Sequence, residues 1–168
     1  MRAHTLPLAL ALALAGCATA GSSGVRDQAL RVMEAPRLQR VVLDALASRR
    51  LGLAAPRSVR IAARREVPCA VCIGATRHCV AFLSPQELDH LRAYLPQPES
   101  ADTLVSAPGV DRDLGAQVLV LSQEDFRYQP DPSRASESEP SVQEIEDRAR
   151  RRVTDWLAWL ASQGALPR

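Results

Sequence analysis

Four side chains between residues 69 and 79 are of types that could carry chemistry. Cys69, Cys72, His78 and Cys79 all lie in the stretch CAVCIGATRHC, and the only other cysteine of the chain is Cys17. Cysteine thiolates and histidine nitrogens bind zinc, and two closely spaced cysteines can form a redox pair. Two cysteines that face each other across neighbouring strands can instead form a disulfide. The elements that hold these residues decide among the three chemistries.

The redox and zinc interpretations each meet an obstacle in the local sequence. A thioredoxin-like centre needs the second cysteine of CxxC to open a helix. The residues after Cys72, IGATRHCVAF, contain a glycine and β-branched residues and show no helical period. Zinc could be held by Cys69, Cys72, His78 and Cys79, which are suitable ligand types. However, His78 and Cys79 are adjacent, so they would point to opposite faces of a strand. The zinc set stays open as an alternative.

A hairpin accounts for two of the three cysteines. With strands at 69–73 and 78–83 and GATR as the turn, Cys72 lies opposite Cys79. Opposed side chains in an antiparallel pair have Cβ atoms about 4.5–5.5 Å apart, which is near disulfide reach. Cys69 and Cys72 within one extended strand would be about 10 Å apart, which is too far. We therefore predict a Cys72–Cys79 disulfide, with Cys69 left as a buried thiol or bonded to a partner molecule.

The first seventeen residues, MRAHTLPLALALALAGC, have the order of an export signal. A short basic start is followed by an apolar run of about ten residues, which fits the core of a secretory signal, about 7–15 residues, and is too short to cross a membrane. The four residues Leu14-Ala15-Gly16-Cys17 resemble the lipobox of bacterial lipoproteins. The resemblance is confined to this targeting segment. The alternative is an ordinary secretory signal that is cleaved near a chance cysteine, for example at Ala18-Thr19-Ala20.

The lipoprotein resemblance implies a covalent lipid on Cys17. In that class cleavage falls before the cysteine, whose sulfur receives a diacylglyceryl group and whose new amino terminus is acylated. Ala18 is not the Asp that retains such proteins in the inner membrane. For a Gram-negative source we therefore expect the periplasmic face of the outer membrane, an oxidising setting that favours disulfides. The tether that follows, 18–24, would reach only about 15 Å as a flexible coil.

Charge is unevenly distributed along the chain, and every basic residue apart from the histidines is arginine. Residues 18–80 hold 11 Arg against 4 acids, residues 81–147 hold 4 Arg against 14 acids, and residues 148–168 hold 5 Arg against 1 acid. We expect these blocks to neutralise one another in the fold, and the alternative is a basic face for anionic lipid or another polyanion. Aromatic residues make up only 4%, so we expect no nucleic-acid partner that relies on base stacking.

Periodicity predicts an α+β fold, a small single domain with terminal helices around a short antiparallel sheet. Capping boxes at Ser84–Glu87 and Ser141–Glu144 mark two helix starts. Pro36 interrupts the first helical stretch, and Pro108-Gly109 suits a turn. The predicted segments are a signal peptide at 1–16, a lipidated tether at 17–24, a domain core at 25–128, a flexible linker at 129–141 and an amphipathic helix at 142–163. Within the core we expect helices at 25–51 and 84–95, strands at 58–64 and 116–122, and a turn at 107–111.

The sequence contains no phosphate-binding loop, nucleotide motif or paired-acid constellation, and we assign no catalytic residue. We expect a lipid-anchored interaction module of the cell envelope, bound to the membrane by Cys17 and to an envelope protein partner, with no cofactor beyond the lipid. The alternative is a thiol-redox or metal-binding lipoprotein that uses Cys69, Cys72 and Cys79, with zinc as the metal.

Overall fold

The computed structural model describes residues 29–97 and 103–167. In these ranges the chain forms three α-helices, α1 (Ala35–Ser48), α2 (Pro85–Leu91) and α3 (Val142–Ser162). Its strands are β1 (Arg31–Val32), β2 (Leu53–Ala54), β3 (Ser58–Ala62), β4 (Arg65–Pro68), β5 (Val71–Ile73), β6 (Cys79–Leu83), β7 (Ser106–Pro108), β8 (Gln117–Ser122) and β9 (Arg127–Tyr128). The predicted α+β class is confirmed.

The central sheet has five strands in the order β2-β5-β6-β8-β7. Its pairs are antiparallel except β6 and β8, which run parallel with Val80 opposite Leu119. The expectation of an antiparallel sheet was therefore wrong for this pair. Parallel strands need a crossover of a dozen or more residues, and the stretch from α2 through β7 supplies it. Two further antiparallel pairs, β1–β9 and β3–β4, lie outside this sheet.

Alternating side chains divide the core between the two faces of the sheet. On one face, Val80, Leu119 and Leu121 pack with the apolar sides of α1 and α3. On the other face, Val118 and Val120 pack with β3, β4 and α2. We refer to these as the helix side and the hairpin side. Period-two alternation is what sends successive strand residues to opposite faces.

The N-terminal region differs from its prediction. Arg31 and Val32 form β1, paired with Tyr128 and Arg127, rather than the first part of a helix over 25–51. Residues 25–28 lie outside the described part of the chain. Helix α1 begins at Ala35, so Pro36 lies in its first turn as expected. Leu30 and Met33 fit a helical spacing, but the distant pairing with β9 outweighs that local pattern.

Both predicted capping boxes are present. Ser84 and Glu87 cap α2, and Ser141 and Glu144 cap α3, with each serine accepting from the backbone N–H of its glutamate. Helix α2 ends at Leu91 and continues as a 3-10 turn over Arg92–Tyr94, so it is shorter than predicted. Helix α3 covers the predicted range closely because its cap and its apolar stripe agree.

Besides β1, four segments without predicted strands contribute to the sheets, namely β2, β4, β7 and β9. Strand β4 follows β3 in a hairpin. Strand β7 includes Ala107 and Pro108, which had been predicted as a turn. The chain bends at Gly109, where a Cβ would lie 2.2 Å from the carbonyl oxygen of Asp113, so only glycine fits.

The segment 129–141 contains one 3-10 turn, Pro132–Arg134, and an isolated bridge joins its two ends, Gln129 and Ser141.

Candidate functional site

The β5–β6 hairpin has the register that the sequence predicted. Val71 lies opposite Val80, and Cys72 lies opposite Cys79. The Ile73 N–H donates to the His78 carbonyl oxygen at 2.9 Å, which makes Ile73 and His78 a hydrogen-bonded pair. The next pair along the strands, Cys72 and Cys79, is therefore a non-hydrogen-bonded pair, and the two strands lie closest at such pairs. The Cα atoms of Cys72 and Cys79 are 4.1 Å apart and a disulfide joins the two residues. The predicted disulfide is present, with both cysteines on the hairpin side of the sheet.

Cys69 is a free thiol inside the hairpin-side core. The residue is 6% exposed, and its Sγ lies 3.6 Å from the Val67 carbonyl oxygen. Burial raises the pKa of the Cys69 thiol to about 12, and the opposing effect of the Arg57 charge is smaller. Since the thiolate is the reactive and metal-binding form, Cys69 is held in an inert, protonated state.

His78 lies on the opposite side of the sheet from the disulfide. Its Nε2 lies 3.0 Å from the Ala165 carbonyl oxygen and its Nδ1 lies 3.1 Å from the Gln117 backbone nitrogen. The Gln117 N–H can only donate, so Nδ1 accepts and the proton resides on Nε2. The ring also meets the Trp156 ring edge-on, with centroids 6.5 Å apart. Burial lowers the pKa of His78, which favours this neutral form.

The alternative zinc set is not brought together. Cys72 and Cys79 are joined to each other, Cys69 is buried, and both nitrogens of His78 already have backbone partners. Within residues 29–97 and 103–167, no group of three or more His, Cys, Asp or Glu side chains is arranged to hold a metal ion. The strand alternation that separated His78 from Cys79 in the sequence also separates them in the fold.

A polar network on the helix side was not foreseen. The Trp156 Nε1–H donates to Ser106 Oγ at 3.2 Å, and the Ser106 hydroxyl donates to Gln117 Oε1 at 3.2 Å. Gln117 thereby connects α3 and β7 with His78. The residues involved are widely separated in sequence, so no local pattern could reveal them.

Asp113 forms a second buried polar centre, just before β8. It is 4% exposed, its Oδ1 lies 2.5 Å from Arg57 Nη1, and its Oδ2 accepts from the Arg60 backbone N–H at 2.9 Å. Burial alone would raise the pKa of Asp113, but these hydrogen bonds and the Arg57 charge outweigh it and hold the pKa below its ordinary value. The ion pair joins the residue before β3 to the loop that leads into β8, and the Arg60 hydrogen bond joins β3 itself to that loop.

An apolar cleft of about 250 Å³ lies between the end of α2 and β8. Leu88, Leu95 and Val120 contribute to its wall, and charged residues stand at its edge. Those charges have neighbours of opposite sign: Arg92 pairs with Asp89, Glu124 with Arg127, and Asp125 with Arg152. The cleft therefore presents an apolar surface with a neutralised rim.

Ion pairs connect the charge blocks that the sequence separates. Arg37 pairs with Glu146 at 2.5 Å, which joins α1 to α3. Arg152 pairs with Asp125 at 2.7 Å, and Arg57 pairs with Asp113. Each pair links an arginine of a basic block to a carboxylate of the acidic block, as we expected from the distribution of charge.

No family model matches the chain, and neither a curated protein nor a solved structure does. Among the helices of the described residues, none combines the length and apolar character that a membrane crossing requires.

Proposed function

We propose that this chain is an exported lipoprotein, anchored by lipid on Cys17, that acts in the cell envelope by binding a partner protein. The observation that carries the proposal is the Cys72–Cys79 disulfide in the central sheet. Disulfides persist in oxidising compartments and are rare in the cytosol. A disulfide in the fold and an export signal ending in Leu14-Ala15-Gly16-Cys17 are independent features, and both favour the same compartment.

The engagement of the reactive side chains supports binding over catalysis. The Cys69 thiol is buried and protonated, both nitrogens of His78 bond to backbone groups, and Asp113 is paired with Arg57. A general base or nucleophile must reach a substrate with a free atom. These three groups stabilise the fold, and we therefore assign the function to recognition of a partner by the surface.

Lipid labelling in cells tests the anchor. We expect the full-length chain to incorporate labelled palmitate and to stay with the membrane fraction after an alkaline wash, because two or more acyl chains anchor stably. The Cys17→Ser variant should lose both properties. The Cys69→Ser variant is the matched control, since it removes a different cysteine, and it should keep both. Palmitate incorporation that survives in Cys17→Ser would contradict the proposal.

Sorting between the two membranes tests the location. In a Gram-negative host we expect the lipidated chain to fractionate with the outer membrane. Ala18→Asp should move it to the inner membrane, because an Asp after the lipidated cysteine retains lipoproteins of this class there. An Ala18→Ser variant serves as the control and should stay with the outer membrane. Recovery of the unaltered chain in the inner-membrane fraction would contradict the assignment.

A further inference from the structure

Three loops come together at one end of the domain. The Gly74 N–H donates to the Gly52 carbonyl oxygen at 2.8 Å, which joins the β5–β6 turn to the segment after α1. Arg77 Nη1 lies 3.3 Å from the Leu114 carbonyl oxygen, which joins the same turn to the loop before β8. We define the distal surface as residues 49–53, 74–77 and 112–115.

The distal surface lies at the opposite end of β8 from β1. Strand β1 is the first element of the described residues, and the Met33 N–H donates to the Phe126 carbonyl oxygen just beyond the carboxyl end of β8. Leu114 precedes the amino end of β8. The six residues of β8 span about 20 Å at about 3.3 Å per residue. If the chain is anchored as proposed above, this surface faces away from its own membrane.

Arginines give the distal surface its charge. Arg49, Arg50, Arg77 and Arg112 are exposed. Arg112 forms an ion pair with Glu66 at 2.8 Å. The carboxylate of Asp113 forms an ion pair with Arg57. No carboxylate of the described residues lies within ion-pairing distance of Arg49 or Arg50. After the pairing between charge blocks, positive charge is left in excess at this end.

The distal surface also carries the two most exposed large hydrophobic residues of the described chain. Leu114 is 72% exposed and Leu53 is 57% exposed. The loops that present these groups are tightly turned, since Arg50, Ala75 and Gly115 all have positive φ angles, 56°, 58° and 85°. Arg77 further fixes the carbonyl of Leu114. A surface fixed in this way loses little conformational entropy on binding.

We propose that the distal surface binds an acidic, leucine-containing segment of a partner protein. Guanidinium groups match carboxylates in geometry and charge, and the exposed leucines supply apolar contact that a simple polyanion would not use. Arginine is enriched at protein–protein interfaces and among the residues that dominate their binding energy, and the exposed leucines add apolar area beside the arginines. An anionic lipid surface could engage both the arginines and the leucines, but an anchor that precedes β1 turns this end of the domain away from its own membrane, which favours a protein partner.

The proposal is tested with the lipidated full-length protein in zwitterionic nanodiscs. The probe is a fluorescent glutamate-rich peptide with interspersed leucines, and anisotropy is measured over a range of salt concentrations. We expect binding that weakens with salt. The Arg49→Gln/Arg50→Gln variant should bind roughly tenfold more weakly, from two charge contacts of moderate strength. The Arg40→Gln/Arg151→Gln variant removes two exposed helix arginines elsewhere and should bind as the unaltered protein does.

Two further comparisons separate the possible ligands. Leu114→Ser should weaken binding of the peptide, and a peptide with glutamine in place of glutamate should not bind. Equal weakening by both arginine pairs, or full binding by Arg49→Gln/Arg50→Gln, would overturn the proposal. Binding to phosphatidylglycerol vesicles without binding to the peptide would overturn it in favour of a lipid surface. The same peptide titration with the Cys17→Ser chain in solution should give the same affinity and the same loss in Arg49→Gln/Arg50→Gln, so failure of the anchor and failure of the partner surface are distinguishable.

Discussion

His78 shows how a side chain suited to chemistry is used to hold the fold. Its Nδ1 accepts from Gln117 and its Nε2 donates to Ala165, 39 and 87 residues away in sequence. A proton on Nδ1 would face the Gln117 N–H, donor against donor. The neutral ring therefore joins β6, β8 and the segment after α3, and its protonation would loosen that junction.

Acid should destabilise the protein through His78. In the folded protein, burial lowers the pKa of His78 below its ordinary value of 6.5. The unfolded chain therefore takes up the proton first as the pH falls. The contribution of neutral His78 to the free energy of unfolding is complete above the pKa of the unfolded chain. It is lost as the pH decreases toward the lower pKa of the folded protein. We expect the urea midpoint to fall over this window, and to fall less in His78→Gln.

The exposed His90 provides the control for this experiment. His90→Gln should keep the pH dependence of the unaltered protein, because His90 lies on the surface of α2. Carboxylates such as Asp113 also respond to acid, so the difference between the unaltered protein and His78→Gln is the informative quantity. Identical pH slopes in those two proteins would show that His78 does not carry the effect.

At the residue scale, the sequence predicted which side chains face each other but not which groups they bond. Alternation along β6 placed His78 and Cys79 on opposite faces, and the hairpin register placed Cys72 against Cys79. The partners of His78 come from β8 and from the end of the chain. Those contacts depend on tertiary packing, which leaves no local pattern in the sequence.

At the scale of elements, the β5–β6 hairpin is the part of the structure that the disulfide secures. The Cys72→Ala/Cys79→Ala variant lacks the disulfide, so its unfolded chain no longer contains a closed loop of about eight residues. We expect a loss of about 2.5 kcal/mol in the free energy of unfolding, measured by urea denaturation.

The third cysteine supplies the control for that loss. Cys69→Ala keeps the disulfide, so adding a reductant should destabilise this variant as it does the unaltered protein. The double variant lacks the disulfide, so reductant should leave its urea midpoint unchanged. A double variant as stable as the oxidised protein would show that the bond contributes no stability.

The capping box of α3 is a second local device with a measurable effect. Ser141 accepts from the Glu144 N–H, and the Ser141 N–H donates to the Glu144 carboxylate at 2.7 Å. Ser141→Ala leaves a helix N–H without its partner and should cost about 1 kcal/mol in the free energy of unfolding. Ser141→Thr should restore most of it. Equal stability of the alanine and threonine variants would contradict a capping role.

Elements with a local signature were the ones that sequence could predict. Both capped helices, the hairpin and β8 have their determinants within a few residues. Strand β1 has no such local determinant, since Arg31 and Val32 form a strand only because Tyr128 and Arg127 lie beside them. The same reason applies to β7, whose pairing with β8 converts a predicted turn into an edge strand.

At the scale of the whole molecule, the sheet is organised by a pairing that no local pattern specifies. Strands β6 and β8 run parallel, and the crossover between them carries α2 to the hairpin side while α1 and α3 cover the helix side. The charge blocks of the sequence then meet across these layers in pairs such as Arg37–Glu146. Among the described residues, Arg49 and Arg50 of the distal surface have no carboxylate partner, and they lie at the end of the domain away from β1.

The most direct test of the account is the mass of the N-terminal peptide of the mature protein, isolated from membranes of cells that produce the full-length chain. We predict a peptide that begins at Cys17 and carries a diacylglyceryl group and an amide-linked acyl chain. A peptide that begins at Cys17 without lipid, that begins after Ala20, or that still contains residues 1–16 would contradict the account.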